Sequence, residues 1–388
     1  MPFPDAADAA DAPRSNDLPD LVLLPGFMGM NLDDAFGRRL WLSPVPIATG
    51  DLASHLALDP SGTTDATPGL VVRPNGPIGF IYGRAIRAFQ EAGLTVHVFP
   101  LEFRRSALDT TVEIKAFVEW IISTRPGRRL VFVGHSMGAI LAALYPHVDP
   151  AWEQRIAAAV FLGGTLAGSF EPVEGLTGTH WFLDVVGVRD LERERALRET
   201  MSTWPGIYSM LPDPLTFPEA AAVYDARAWP GPARPPQRRL DEIRDRLRPM
   251  VRDSPLRKVP TVQLMSVVCP TVDAITWDDG ALRTGPMTAA GDGTVAARTA
   301  FLGVDAAYEV DFPHTFMPND PKAIQAIIDI AYGRKPSLPP ISEARANARL
   351  HGLALAPLTM AKTIFESVAH RAVAGDLSLD DLSWPFFH

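Results

Sequence analysis

Cysteine is almost absent: Cys269 is the only one in 388 residues. A single thiol excludes an intramolecular disulfide framework and any multi-cysteine zinc site. Cys269 then reads as a small apolar core residue at a strand end. Positive charge is also short. The formal net charge is −9, which excludes a general nucleic-acid binder, because such proteins need a basic surface to displace counterions. No run approaches the roughly 18 consecutive apolar residues of a membrane span. The opening stretch, MPFPDAADAADAPRSNDLPD, has neither the basic start nor the apolar core of a secretory signal. The expectation is a cytoplasmic protein with a disordered lead over residues 1–18. No internal repeat is found.

What is present is an ordinary globular balance. Apolar residues make up 47% and charged residues 21%, and the length suits one large domain with an insertion or two smaller ones. Short β-like runs alternate with helical patterns. DLVLLPG (20–26), LTVHVFP (94–100), RLVFVG (129–134) and RIAAAVFLGG (155–164) read as strands. Residues 77–93 and 110–124 carry helical apolar spacing, and a small-residue helix follows Ser136. That rhythm predicts a mostly parallel sheet with helices on both faces. It stops between about Thr165 and Lys258, where no core strand is evident, and resumes with VPTVQLMSVV (259–268), AAYEVDF (306–312) and a closing helix at 320–333. The predicted organisation is a core of residues 19–167 and 257–334, a largely helical cap insertion at 168–256, and a tail at 335–388 with one amphipathic helix. A Pro-, Ser- and Gly-containing excursion at 41–76 is expected to border the site entrance.

One stretch asks for chemistry. Gly134-His135-Ser136-Met137-Gly138 lies where a strand ends and a helix starts. A nucleophile on so sharp a turn needs small residues two positions either side, and the helix N-terminus behind it supplies partial positive charge. A serine hydroxyl needs a base to take its proton, commonly a histidine oriented by a carboxylate. On this architecture both follow the serine in chain order. Asp292 lies between two glycines after the 259–268 strand, and His314 lies on a loop after the last strand. Of the other histidines, His135 is the second elbow residue and is expected to point away from the base position. His97 sits inside a strand. His55, His147, His180, His351, His370 and His388 fall in loops, cap or tail. Ser136, Asp292 and His314 form the candidate triad, with Asp311, Asp278 and Asp279 as competing acids. Met137 and Phe27 are the candidate oxyanion-hole donors, the latter on the turn after the first strand, with Met28 as its fallback. The cap holds six large residues in an otherwise polar, Arg-rich segment: Phe170, Trp181, Phe182, Trp204, Ile207 and Tyr208. They are candidates either for a pocket wall or for a small satellite core.

LLPGFMGMNL, GRRLWLSP, VFPLEFRRS, VGHSMGAILA, WPGIYSMLPDP and GDGTV with a later His occur in this order between about residues 20 and 330. Together they resemble the lecithin:cholesterol acyltransferase-like branch of the α/β-hydrolases, which includes lysosomal phospholipases and bacterial relatives. The resemblance implies an α/β-hydrolase fold and a serine acyl-enzyme mechanism on ester, often lipid, substrates. It implies Ser136, Asp292 and His314 as the triad and Phe27 with Met137 as the oxyanion hole. It also implies that Trp41 and the Trp204–Pro212 stretch border the acyl pocket, and the candidate substrate-binding positions are Met28, Trp41, Trp181, Trp204 and Tyr208. Secreted members carry signals and disulfides and this chain has neither, so lipoprotein-type partners are not implied. No cofactor or metal is called for. The leading expectation is an esterase or lipase-like hydrolase of small-molecule or lipid esters. Acyl transfer to an alcohol is the alternative, and a non-catalytic binding protein on the same scaffold is the rival from another class.

Overall fold

The computed structural model describes residues 18–43, 51–178, 191–231, 234–287 and 289–348. The chain opens on β1 (Asp20–Leu24) and continues through β2 (Met30–Asp34), β3 (Arg39–Trp41), β4 (Val72–Pro77) and helix α1 (Gly79–Glu91). Next come β5 (Val96–Val98), α2 (Ala107–Thr124), β6 (Leu130–His135), α3 (Met137–Leu144) and β7 (Ile156–Leu162). Helices α4 (Glu171–Thr177) and α5 (Leu191–Ser202) lie in the insertion. The chain returns with β8 (Thr261–Met265), β9 (Cys269–Thr271), β10 (Ile275–Asp278), β11 (Ala281–Thr284), β12 (Ala289–Gly291), β13 (Ala306–Glu309) and α6 (Pro321–Ala331).

Six strands form one parallel sheet in the order β13-β8-β7-β6-β1-β5. β1, β6 and β8 are buried along their whole length. That is why they read as mostly apolar runs rather than as strict alternation. Helix α3 packs on β1 and β6, and α6 packs on β7. The strand order reverses at β1, which is flanked by β5 on one side and β6 on the other. Ligand sites of open α/β sheets form outside the carboxyl ends of the strands at such a switch point. Here the turn after β1 and the turn after β6 meet.

Helix ends follow local chemistry. Ser106 caps α2, and Asp320 caps α6 by accepting from Lys322 N–H at 2.8 Å, with Pro321 next in the chain. The other Asp320 oxygen accepts the Asp311 N–H at 2.9 Å, so one carboxylate fixes both ends of the loop that carries His314.

Two features were not legible in the sequence. β2, β3 and β4 make a small antiparallel sheet before α1. Its β4, VRPNGP, has two prolines and a glycine, which β-propensity disfavours. Two further short antiparallel pairs, β9 with β12 and β10 with β11, separate β8 from β13. The insertion between β7 and β8 holds helices and no strand among the described residues. It is anchored from within: Trp204, Trp229 and Arg248 are fully buried, and Arg248 donates to the Leu166 carbonyl at 3.2 Å. Beyond α6, the chain runs along the free edge of β13, with Glu309 N–H to Pro339 O and Ile341 N–H to Ala307 O at 2.9 and 3.0 Å. That covers an edge that would otherwise template pairing with another chain. No helix among the described residues is long and apolar enough to cross a membrane. Of the lead expected over 1–18, residues 1–17 lie outside the described residues, as does the amphipathic helix expected in the tail, whereas Leu18 is buried in the core.

Candidate active site

Ser136 sits between β6 and α3 with φ 54° and ψ −119°, a backbone region that L-residues rarely occupy. Its N–H donates to Leu162 O at 3.0 Å, which ties the turn to the end of β7. Neighbouring chains enforce both flanking glycines. A Cβ on Gly138 would lie 2.0 Å from the Leu24 carbonyl oxygen, and one on Gly134 would lie 2.8 Å from Ala139 N. The strained turn therefore depends on Gly134 and Gly138 for packing as well as for flexibility.

Asp292 follows β12 and is fully buried. Its Oδ1 accepts the N–H groups of Thr294 and Val295 at 3.0 and 2.7 Å. Its Oδ2 lies 2.8 Å from His314 Nδ1, so Nδ1–H is the donor. A second bond, His314 N–H to Asp292 O at 2.9 Å, joins the two loops through the backbone. His314 Nε2 is buried and makes no hydrogen bond among the described residues. His314 and Ser136 line the same cavity. In free hydrolases the serine–histidine bond is often long and tightens only with substrate bound. The competing acids lie elsewhere. Asp311 is mostly exposed and paired with Lys322, and Asp278 is mostly exposed beside Arg283. Asp279 occupies the turn between β10 and β11.

Sequence reasoning missed Gly163, at the end of β7. A Cβ there would lie 2.5 Å from Asp292 Oδ2 and 2.6 Å from His314 Nδ1. A glycine pair after a buried strand was the available signal. It lets the strand end pass directly beneath the Asp–His pair.

Burial acts to lower the His314 pKa. The Asp292 carboxylate opposes this by charge and hydrogen bond, Glu171 adds its charge, and the net direction is upward. His135 is the reverse case. It is buried beside His314, and its pKa is pushed down to about 3. Its Nε2 contacts the His314 carbonyl oxygen at 3.0 Å.

The turn after β1 is closed by Gly29 N–H to Gly26 O at 3.0 Å, with Met28 at φ 59°. Trp41 Nε1 donates to Met28 O at 3.0 Å and steadies it. Gly26 N–H is engaged by Tyr82 Oη at 2.8 Å. The N–H groups of Phe27, Met28 and Met137 donate to no described residue. The turn abuts Ser136, since a Cβ on Gly26 would lie 3.0 Å from Ser136 Cβ.

The cavity above Ser136 is mainly apolar, and Met28, Trp41, Ile81, Met201, Ile207 and Met210 are among its walls. Glu171, from the start of α4, is the only acid in its lining among the described residues. Trp204 and Tyr208 do not line it. Both are buried behind it, Trp204 Nε1 on Leu56 O at 2.7 Å and Tyr208 Oη on Ser202 O at 2.7 Å. The Trp204 ring packs against Phe103 and Phe27, with centroids 5.9 and 6.1 Å away. Phe170 is likewise in the cap interior, edge-on to Phe217. Trp181 and Phe182 lie outside the described residues.

No protein-family model matches the chain, and no curated protein matches it in sequence. Among solved structures, a chain of the Tle4–Tli4 complex superposes with a TM-score of 0.50 at 12% identity, over 81% of this chain and 97% of that one. The mature form of the Bacillus licheniformis lipase BlEst2 gives 0.42 at 12% identity, over 84% and 96%. The metagenomic carboxyl esterase MGS0156 gives 0.32 at 15% identity, over 69% and 55%. At such identities the first likeness concerns the fold alone, and the two lower scores add no argument. The chain has the α/β-hydrolase fold: a parallel sheet with the observed strand order, a sharp strand–Ser136–helix turn, and helices around it.

Proposed function

We propose that the chain is a serine acyl hydrolase that cleaves carboxylic esters through an acyl-enzyme on Ser136. The observation that carries this reading is His314, bonded to the buried Asp292 at 2.8 Å and lining one mainly apolar cavity with Ser136. Ser136 Oγ attacks the ester carbonyl as its proton passes to His314 Nε2. The oxyanion is received by the N–H groups of Phe27 and Met137, where each donor is worth about 3–4 kcal/mol. Collapse breaks the C–O bond, and His314 returns the proton to the leaving alcohol. Water, activated by the same histidine, then releases the acid. The ordered motifs shared with the lecithin:cholesterol acyltransferase-like branch, together with the apolar walls, support a lipid ester as substrate. The test is a panel of p-nitrophenyl esters of increasing acyl length, run with and without competing alcohols. Turnover to free acid is expected. No turnover on any ester, with no labelling by a fluorophosphonate, would overturn the reading.

The walls and the interior of the cap are expected to respond differently. Ile207→Ala should change the ratio of kcat/KM for long against short esters by roughly 1–3 kcal/mol, the scale of apolar pocket discrimination. Trp204→Ala removes a buried ring at a cost of about 3–5 kcal/mol. It should lower Tm and reduce all esters alike. Chain-length ratios and melting curves for both variants check this, and an unchanged ratio in Ile207→Ala removes that residue from the acyl site.

The rate should also report the state of His314. A base works only when unprotonated, so kcat/KM is expected to fall as pH drops through its pKa. The midpoint should lie above the ordinary imidazole value of 6.5. Glu171→Gln removes one of the charges that raise it and should move the midpoint down. A pH–rate profile identical in wild type and Glu171→Gln would dissociate this carboxylate from the base.

A further inference from the structure

A buried chain of polar atoms joins four segments that meet around Ser136. Gly26 N–H, on the turn after β1, reaches Tyr82 Oη of α1 at 2.8 Å. Tyr82 Oη lies 2.7 Å from His135 Nδ1, and His135 Nε2 lies 3.0 Å from the backbone carbonyl of His314. The donors fix the direction of the chain. A carbonyl only accepts, so His135 Nε2 carries the hydrogen. In the neutral ring Nδ1 is then bare and accepts the Tyr82 phenol hydrogen, and the phenol oxygen accepts from Gly26. Each hydrogen is used once. Tyr82 and His135 are both buried, and neither is used in the chemistry proposed above.

We infer that Tyr82 and His135 are positioning residues, a clamp that sets the oxyanion turn at one end and the histidine loop at the other in register with Ser136. This rests on the acyl-hydrolase reading. Packing around the clamp is tight at the same points. A Cβ on Gly29 would lie 2.6 Å from Tyr82 Oη, and one on Gly26 would lie 3.0 Å from His135 Nδ1. Both glycines of the Pro-Gly-Phe-Met-Gly turn thus wrap the tyrosine hydroxyl. By accepting from Gly26 N–H, the phenol holds the Pro25–Gly26 peptide, one unit before the Gly26–Phe27 peptide whose N–H is left for the oxyanion. At the other end, His135 holds the carbonyl of the residue that must aim Nε2 at Ser136. An error of about 1 Å in such groups costs on the order of a hundredfold in rate.

The test uses Tyr82→Phe, which keeps the ring and loses only the hydroxyl, and His135→Gln, whose amide can still donate to the His314 carbonyl but gives no bare ring nitrogen. Rates are measured well below each variant's Tm. Tyr82→Phe is expected to lower kcat by about 10- to 100-fold with KM little changed, and to slow fluorophosphonate labelling in parallel. His135→Gln should fall between it and wild type. A kcat at the wild-type level in both variants, with only Tm lowered, would reduce the network to a structural role and overturn the inference. If one variant does not fold, the other decides. Nitrogen-15 spectra of the histidine rings give a readout independent of turnover. His135 should be neutral with Nδ1 bare and Nε2 protonated, and the Tyr82→Phe change should shift the His135 signals and those of His314. Lack of esterase activity in wild type with these spectral shifts intact would fail the hydrolase reading alone. Spectra showing His135 in the opposite tautomer would fail the clamp.

Discussion

Ser136→Ala is expected to reduce ester turnover by on the order of a million-fold and to abolish fluorophosphonate labelling, with the fold kept. Alanine has the same Cβ as serine, so it meets the same strain at φ 54° and the same close approach to Gly26. What it loses is the atom that opens on the cavity shared with His314. His314→Ala should be about as damaging, because members of such a set act as a unit. Ser136→Gly separates chemistry from stability. It should be equally inactive, yet melt higher, since glycine removes backbone strain of about 1–3 kcal/mol. Circular dichroism and melting curves check the fold. More than a few per cent of wild-type activity in Ser136→Ala would sink the nucleophile assignment.

The sequence could reveal the sheet and the elbow because both are local signals with a strong physical cause. A strand buried on two faces must be mostly apolar, and β1, β6 and β8 are buried throughout with apolar residues at most positions, their polar members being Asp20, His135, Thr261 and Gln263. The turn at Ser136 needs glycines at 134 and 138, whose contacts leave no room for a Cβ. Asp292 and His314 could be named because chain order after successive strands restricts where partners can lie. The distance between them could not be read, nor the backbone bonds that orient the carboxylate. His135 shows the limit more sharply. Its place in the elbow is the reason to set it aside as a candidate base. Its bonds to Tyr82 and to the His314 carbonyl connect residues 53 and 179 positions apart, which no local pattern encodes. In the cap, Trp204, Ile207 and Tyr208 lie within five positions, yet only Ile207 faces the cavity. Size and hydrophobicity are common to pocket walls and interior packing. Which side of the wall a ring occupies is decided by neighbours such as Leu56 and Phe103, distant in the chain.

Asp292→Asn carries the second large effect, and the geometry says why a single atom should matter. Oδ1 of Asp292 accepts two backbone N–H groups, from Thr294 and Val295. In the asparagine, only the carbonyl oxygen can keep those bonds. The amide nitrogen is therefore forced into the place of Oδ2, 2.8 Å from His314 Nδ1 in the wild type. An NH2 group can only donate there, so Nδ1 must become the acceptor and the ring hydrogen moves to Nε2. The nitrogen that opens on the cavity with Ser136 would then carry a proton and could not take one from the serine. The expected loss is on the order of ten-thousand-fold in kcat, the scale seen when the wrong tautomer is imposed on an otherwise intact triad. Packing and the backbone bonds at 292 survive, so Tm should stay near wild type. The pH profile gives a second check. Asp292 raises the His314 pKa, so any residual activity should show its acid limb displaced to lower pH. Full activity in Asp292→Asn, with loss in Asp311→Asn or Asp278→Asn instead, would transfer the role to one of those acids. Asp311 already holds Lys322 at the surface, and Asp278 lies mostly exposed beside Arg283, which is why the loss is expected at 292.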